Sequence, residues 1–120
     1  MNQAETARSG YWQGKRLELG LHYAYRPEFV PLLLEYVGAK AGDCILEVGC
    51  GTGFLARLLA QALPDVQVIG LDTDGALLEV AYQLAASGAL TEQLTFKQGD
   101  SLYLPFADNS FDLVTSHRLL

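Results

Sequence analysis

The stretch Cys44-Ile45-Leu46-Glu47-Val48-Gly49-Cys50-Gly51-Thr52-Gly53 decides the fold. Its first five residues are an apolar run broken only by Glu47, the pattern of a buried strand. Three glycines at alternate positions then lead into Leu55, Leu58, Leu59 and Ala62, which recur at helical spacing and stop near Pro64. A strand entering a helix through a glycine turn is how a βαβ unit begins. Gly49 suits a positive φ that other residues avoid, and Gly51 lets a ligand approach the backbone. Gly53 lets the new helix pack closely on the strand. The first-turn amides of that helix have no partners within it and can face a ligand.

Working outward, Arg26-Pro27-Glu28 is expected to open an earlier helix, because proline suits a first turn and an acid its positive end. Phe29, Val30, Leu33, Leu34 and Val37 give that helix its apolar face, and Gly38 stops it. Residues 1–27 read as an irregular amino-terminal arm, and residues 28–120 as one folded unit. Downstream, Val66, Val68, Ile69 and Leu71 predict a second strand ending at Asp72. Leu77, Val80, Ala81, Leu84 and Ala85 predict a helix closed by Gly88. Leu94 to Lys97 is a third strand, ending at Gly99-Asp100, and Phe111 to Thr115 a fourth. Strands alternating with helices imply right-handed crossovers and a parallel sheet. The expected class is α/β, a Rossmann-like sheet in the order 3-2-1-4, with ligands bound at the carboxyl ends of the strands where the order reverses.

Composition narrows the function. The 120 residues suffice for one domain at most. Fourteen carboxylates against eight Lys and Arg give a net charge of -6, which argues against a nucleic-acid binder and against docking on an anionic membrane. No stretch approaches the ~20 apolar residues of a membrane span. The first twenty residues lack the apolar middle of a secretory signal. Cys44 and Cys50 alone make neither a disulfide framework nor a zinc site. A reduced cytoplasmic setting and no metal are therefore expected.

The strand ends carry acids. Asp72 follows Gly49 by twenty-three residues, where a carboxylate can accept hydrogen bonds from the vicinal hydroxyls of a ribose. Asp74, with Thr73, is suited to capping the next helix. Asp100 is placed to accept from an adenine amine, with Ser101 beside it, unless the pair serves as a loop cap. A dinucleotide site would show G-x-G-x-x-G and seat a pyrophosphate. Here Phe54 stands where that motif has its last glycine, and Glu47 would repel a pyrophosphate. A carboxylate is a good neighbour for a cation. A ligand with adenosine, sulfonium and ammonium groups, S-adenosylmethionine, fits these residues better than NAD.

Four stretches resemble the class I S-adenosylmethionine-dependent methyltransferases, especially the group acting on quinones and other small molecules. They are Leu46 to Gly53, Gly70-Leu71-Asp72-Thr73-Asp74, Gln98-Gly99-Asp100-Ser101, and Leu104 to Val114. The resemblance implies that Glu47, Gly49 and Gly51 lie at the methionine end of the cofactor, with Gly53 also among the cofactor-binding residues. It implies Asp72, with Thr73, at the ribose and Asp100, with Ser101, at the adenine. Asp108-Asn109-Ser110 reads as a plain turn, and Asp112 as structural. Cys50 reads as a small space-filler. Tyr11, Trp12, Tyr23, Tyr25 and Arg26 could form a lid or simply pack on the sheet. His117 follows the fourth strand and is an ordinary histidine or a general base; no catalytic residue is assigned.

The resembled core has seven strands, and this chain ends just past the fourth. It is accordingly expected to be the cofactor-binding half of a larger enzyme that transfers a methyl group to a small-molecule acceptor. Its fourth strand would have an open apolar edge that invites self-association. The competing expectations are the NAD-binding domain of an oxidoreductase and a nucleotide-binding module without chemistry.

Overall fold

In a computed structural model of the chain, residue 28 and residues 30–116 are described. Helix α1 spans Val30–Val37, strand β1 Cys44–Val48, helix α2 Phe54–Ala62 and strand β2 Gln67–Asp72. Helix α3 spans Gly75–Ser87, strand β3 Leu94–Gln98 and strand β4 Leu113–Ser116. The strands form one sheet in the order β3-β2-β1-β4, and every pairing is parallel. This is the expected α/β order, with β1 at the reversal point.

Alternation along the strands gives the sheet two unlike faces. On the helix-covered face, Ile45, Val68 and Leu94 pack with Leu55, Ala56, Leu59 and Ala60 of α2 and with Ala85 of α3. Leu33 and Leu34 of α1 join this core from its margin. On the other face, Leu46, Val48 and Leu71 gather Ile69, Phe106 and Phe111. A groove of about 400 Å³ opens there, lined among others by Leu46, Leu104, Phe106, Phe111 and Val114. Among the described residues, no helix is long and apolar enough to cross a membrane.

Two boundaries and one helix face differ from the sequence reading. The first helix begins at Val30 rather than Pro27, which puts Pro31 in its first turn, where proline forfeits no helical hydrogen bond. In α2 the buried side is Leu55, Ala56, Leu59 and Ala60; Ala62, expected on that face, is exposed. The fourth strand begins at Leu113, two residues late. Phe111 instead meets Phe106 edge-on at 5.0 Å between centroids. Asp112 exchanges hydrogen bonds with Cys44: its N–H donates to the Cys44 carbonyl at 2.8 Å, and its Oδ2 accepts from the Cys44 N–H at 2.8 Å. Asp112 thus has the structural role expected of it, fastening the start of β4 to the start of β1.

One helix stop is as expected and the other is not. Gly38 ends α1 in the left-handed region, φ +76°, with the Ala39 N–H bonded to the Leu34 carbonyl. Gly88, expected to do the same for α3, has an ordinary φ of -90°. Ala89 takes the left-handed position at φ +57°, and the Leu90 N–H closes the motif on the Ala85 carbonyl at 2.9 Å.

Candidate functional site

The carboxyl ends of β1, β2 and β3 converge on a shallow cleft of about 50 Å³. It is lined by Val48, Gly49, Leu71, Asp72, Thr73, Gly99 and Ser101. The parallel crossovers put these ends side by side, because each strand re-enters the sheet in the same direction. None of the seven lining residues is basic. A ligand larger than a water or two would lie across this cleft rather than within it.

The glycine turn needs its glycines. Gly49, Gly51 and Gly53 have φ of +71°, +57° and +75°, values that side chains disfavour. The Gly49 and Cys50 N–H groups both donate to the Leu71 carbonyl, at 2.7 and 3.0 Å. Gly53 has a second constraint: a Cβ there would lie 2.8 Å from the Phe96 ring. The close approach expected of Gly53 is therefore made chiefly to a ring on β3, not to β1. Gly70 is needed for the same ring, since its Cβ would sit 2.7 Å from Phe96 Cδ1 and 2.9 Å from Cys50 Sγ. Cys50 is 7% exposed and fills this space, as expected. Gly70 had no role assigned from the sequence, although a glycine inside a strand is a signal of close approach.

Asp72 ties the two turns together. Its Oδ2 accepts from the Gly51 N–H at 2.9 Å, and its Oδ1 accepts from the Asp74 N–H at 2.9 Å. Each oxygen has a further lone pair available. Asp74 caps α3, its Oδ1 accepting from the Ala76 and Leu77 N–H groups at 3.0 and 3.3 Å. Thr73 is exposed, and its carbonyl accepts from Gln98 Nε2 at 2.9 Å. Asp100 is exposed; its Oδ1 accepts from the Leu102 N–H at 2.9 Å, so its carboxylate holds its own loop. Ser101 lines the cleft; Asp100 does not.

Glu47 lies elsewhere than its neighbours in sequence suggest. It is 2% exposed and points to the helix-covered face, in one row across the sheet with Thr115, Gly70 and Phe96. Burial pushes its pKa from 4.5 up to about 8. The Ala56 N–H, in the first turn of α2, opposes that rise; the Asp72 charge adds to it and Arg57 opposes it. Gly53, at the start of α2, has no side chain to cap the helix. Glu47 supplies an acceptor from the strand instead. Its Oε2 is buried without a hydrogen-bond partner. Burial first, then the nearby Glu47 and Asp72, also pushes the Cys50 thiol pKa strongly upward. That makes it a poor nucleophile.

Of the sequence-nominated residues, Gly49, Asp72, Thr73 and Ser101 meet at the cleft. Gly51 and Gly53 build the turn behind it, Glu47 lies buried beneath that turn, and Asp100 stands at its margin. Val48, Leu71 and Gly99 line the cleft and were not nominated; they are ordinary strand-end residues that only the sheet order brings together. Among the described residues no cluster of His, Cys, Asp and Glu is arranged to hold a metal ion. The arm residues Tyr11, Trp12, Tyr23, Tyr25 and Arg26, and His117, fall outside the described residues.

Comparison with known proteins follows the same lines. A family model described as a methyltransferase domain matches residues 45–120. The demethylmenaquinone methyltransferase of Lactobacillus johnsonii is 38% identical over 100 residues, 82% of this chain and 39% of that protein. The 2-phytyl-1,4-naphtoquinone methyltransferase of Synechococcus elongatus is 39% identical over 101 residues, 83% of this chain and 42% of that protein. The chain thus spans about two-fifths of the length of these relatives. Among solved structures, a SAM-dependent methyltransferase from Thiobacillus denitrificans, in complex with S-adenosyl-L-homocysteine, superposes with a TM-score of 0.65. The match covers 79% of this chain and 38% of that one at 23% identity, a likeness of fold.

Proposed function

Because the chain belongs to the methyltransferase-domain family, we propose that residues 28–120 are the S-adenosylmethionine-binding part of a methyltransferase acting on a quinone-type small molecule. One observation carries the cofactor reading. The Asp72 carboxylate is held by backbone N–H groups of two different turns, beside Thr73 and Ser101, in a cleft with no basic side chain. Such a site offers acceptors to the hydroxyls of a ribose and no basic side chain to a pyrophosphate. The buried, unpartnered Oε2 of Glu47 adds an acceptor behind the glycine turn, on the side suited to a cation. No feature of the fold favours the dinucleotide reading.

In this reading Asp72 and Thr73 hold the ribose, Asp100 and Ser101 border the adenine, and Gly49, Gly51 and Gly53 admit the methionine end above Glu47. The bound cofactor would supply an activated methyl group on sulfur. The chain's part is then to position it, and no protein nucleophile is required. The acceptor class rests on the quinone methyltransferases among its relatives. A cytoplasmic setting and self-association through β4 complete the proposal.

Calorimetry of the protein with S-adenosylmethionine, S-adenosylhomocysteine and NAD tests it. The sulfonium cofactor and its demethylated product should bind and NAD should not. Preferential binding of NAD would overturn the proposal.

A further inference from the structure

Two buried polar atoms face the same side of the sheet with no partner: Oε2 of Glu47 and Oγ1 of Thr115. The register sets Glu47 directly opposite Thr115 on the adjacent parallel strands β1 and β4. Directly paired residues project to one face, and paired strands lie about 4.8 Å apart. At that spacing a hydroxyl on one strand and a carboxyl on the other can meet through rotation of their side chains. Orphaned polar atoms in an interior are costly singly, and two on directly opposed residues are better explained as halves of one arrangement.

We propose that Thr115 is a positioning residue for Glu47, its hydroxyl donating to Oε2 when the carboxylate ionises beneath a bound cation. The inference rests on the cofactor reading for the cation and on register alone for the pairing. The other groups acting on this carboxyl come from the remaining elements around it. The Ala56 N–H and Arg57 on α2 favour its charged form. Asp72, at the end of β2, opposes that form. The raised thiol of Cys50 is neutral over the relevant range. Strand β4 contributes no ionisable side chain, and among the described residues the Thr115 hydroxyl is the donor that the strand places in this row. In a neutral carboxyl one oxygen carries a proton of its own, whereas both oxygens of the carboxylate call for donors.

The test is the titration of the Glu47 carboxyl, followed by carbon-detected NMR in the ligand-free protein, for wild type, Thr115→Val and Thr115→Ser. Valine keeps the branched shape and removes the hydroxyl; serine restores it. Losing a donor to the charged form should raise the Glu47 midpoint by about one pH unit in Thr115→Val, with Thr115→Ser close to wild type. Cofactor affinity at neutral pH should fall about tenfold in Thr115→Val, and the loss should shrink as the pH is raised past the midpoint. An unchanged midpoint in Thr115→Val overturns the inference, even if the cofactor binds. A shifted midpoint in proteins that bind no sulfonium cofactor upholds the pairing and overturns the cofactor reading instead. Thermal unfolding of both variants confirms that the comparison is between folded proteins.

Discussion

Asp72 and Asp74 are two residues apart and do different work. Asp74 spends its carboxylate on the first turn of α3, whereas Asp72 keeps lone pairs facing the cleft. Asp72→Ala should therefore weaken S-adenosylmethionine binding roughly ten- to a hundredfold, the worth of a hydrogen bond to a charged group. Asp74→Ala should lower stability by about 1 kcal/mol, as the loss of a helix cap does, with little effect on affinity. Calorimetry and urea unfolding of both variants separate the two; a larger affinity loss for Asp74→Ala would reverse the assignment.

Glu47 makes a prediction of opposite kind. Its pKa rises on folding, from 4.5 to about 8. Below the lower value both states hold the proton. As the pH climbs between the two, the unfolded chain ionises first, so stability declines and then levels off above the upper value. Glu47→Gln should remove that slope, leaving the urea midpoint nearly level from about pH 5 to 8. Sequence reading could nominate both acids, because each ends or interrupts a strand. It could not see that Glu47 faces the helices, since the face follows from which neighbours the sheet supplies.

At the scale of elements, the strands and helices were legible wherever an apolar period ran uninterrupted. Their ends were less so. Asp112 reads like strand until its reciprocal bonds with Cys44 are seen, and Phe111 leaves the strand for Phe106. Gly88 reads like a helix stop, yet Ala89 adopts the left-handed conformation. An L side chain there costs about 1–2 kcal/mol, partly offset by the ordering of a glycine. Ala89→Gly should therefore stabilise the chain by up to about 1 kcal/mol, seen as a higher urea midpoint at an unchanged slope. The reverse holds at Gly70, where Gly70→Ala would press on the Phe96 ring and should destabilise.

For the whole molecule, the order 3-2-1-4 followed from chain direction and handedness, and so did the place of the cleft. What no local pattern revealed is how unequal the two faces are. Helices cover one, while the other relies on Phe106, Phe111 and the loop between them. Val114 on β4 is 56% exposed and Leu104 44%, beside an edge that, among the described residues, has no neighbouring strand. Apolar surface next to an unpaired edge attracts a second chain. The 120-residue polypeptide should therefore self-associate at high concentration, and Val114→Lys should reduce this. Sedimentation velocity over a concentration series decides; a wild-type monomer throughout would show that this face is adequately covered.

The paired bonds between Cys44 and Asp112 also bear on how the chain reaches this state. They join residues 68 apart in sequence, so the β1–β4 seam closes a far longer loop than either crossover does. Contacts of such separation carry a large closure entropy and tend to form late. A chain leaving the ribosome at about 5–20 residues per second would have β1 and β2 available seconds before β4 could join them. If the seam forms after the folding barrier, Asp112→Ala will speed unfolding while leaving refolding almost untouched. A chevron comparison would show it, and a matching loss in the refolding arm would mean that the seam belongs to the nucleus.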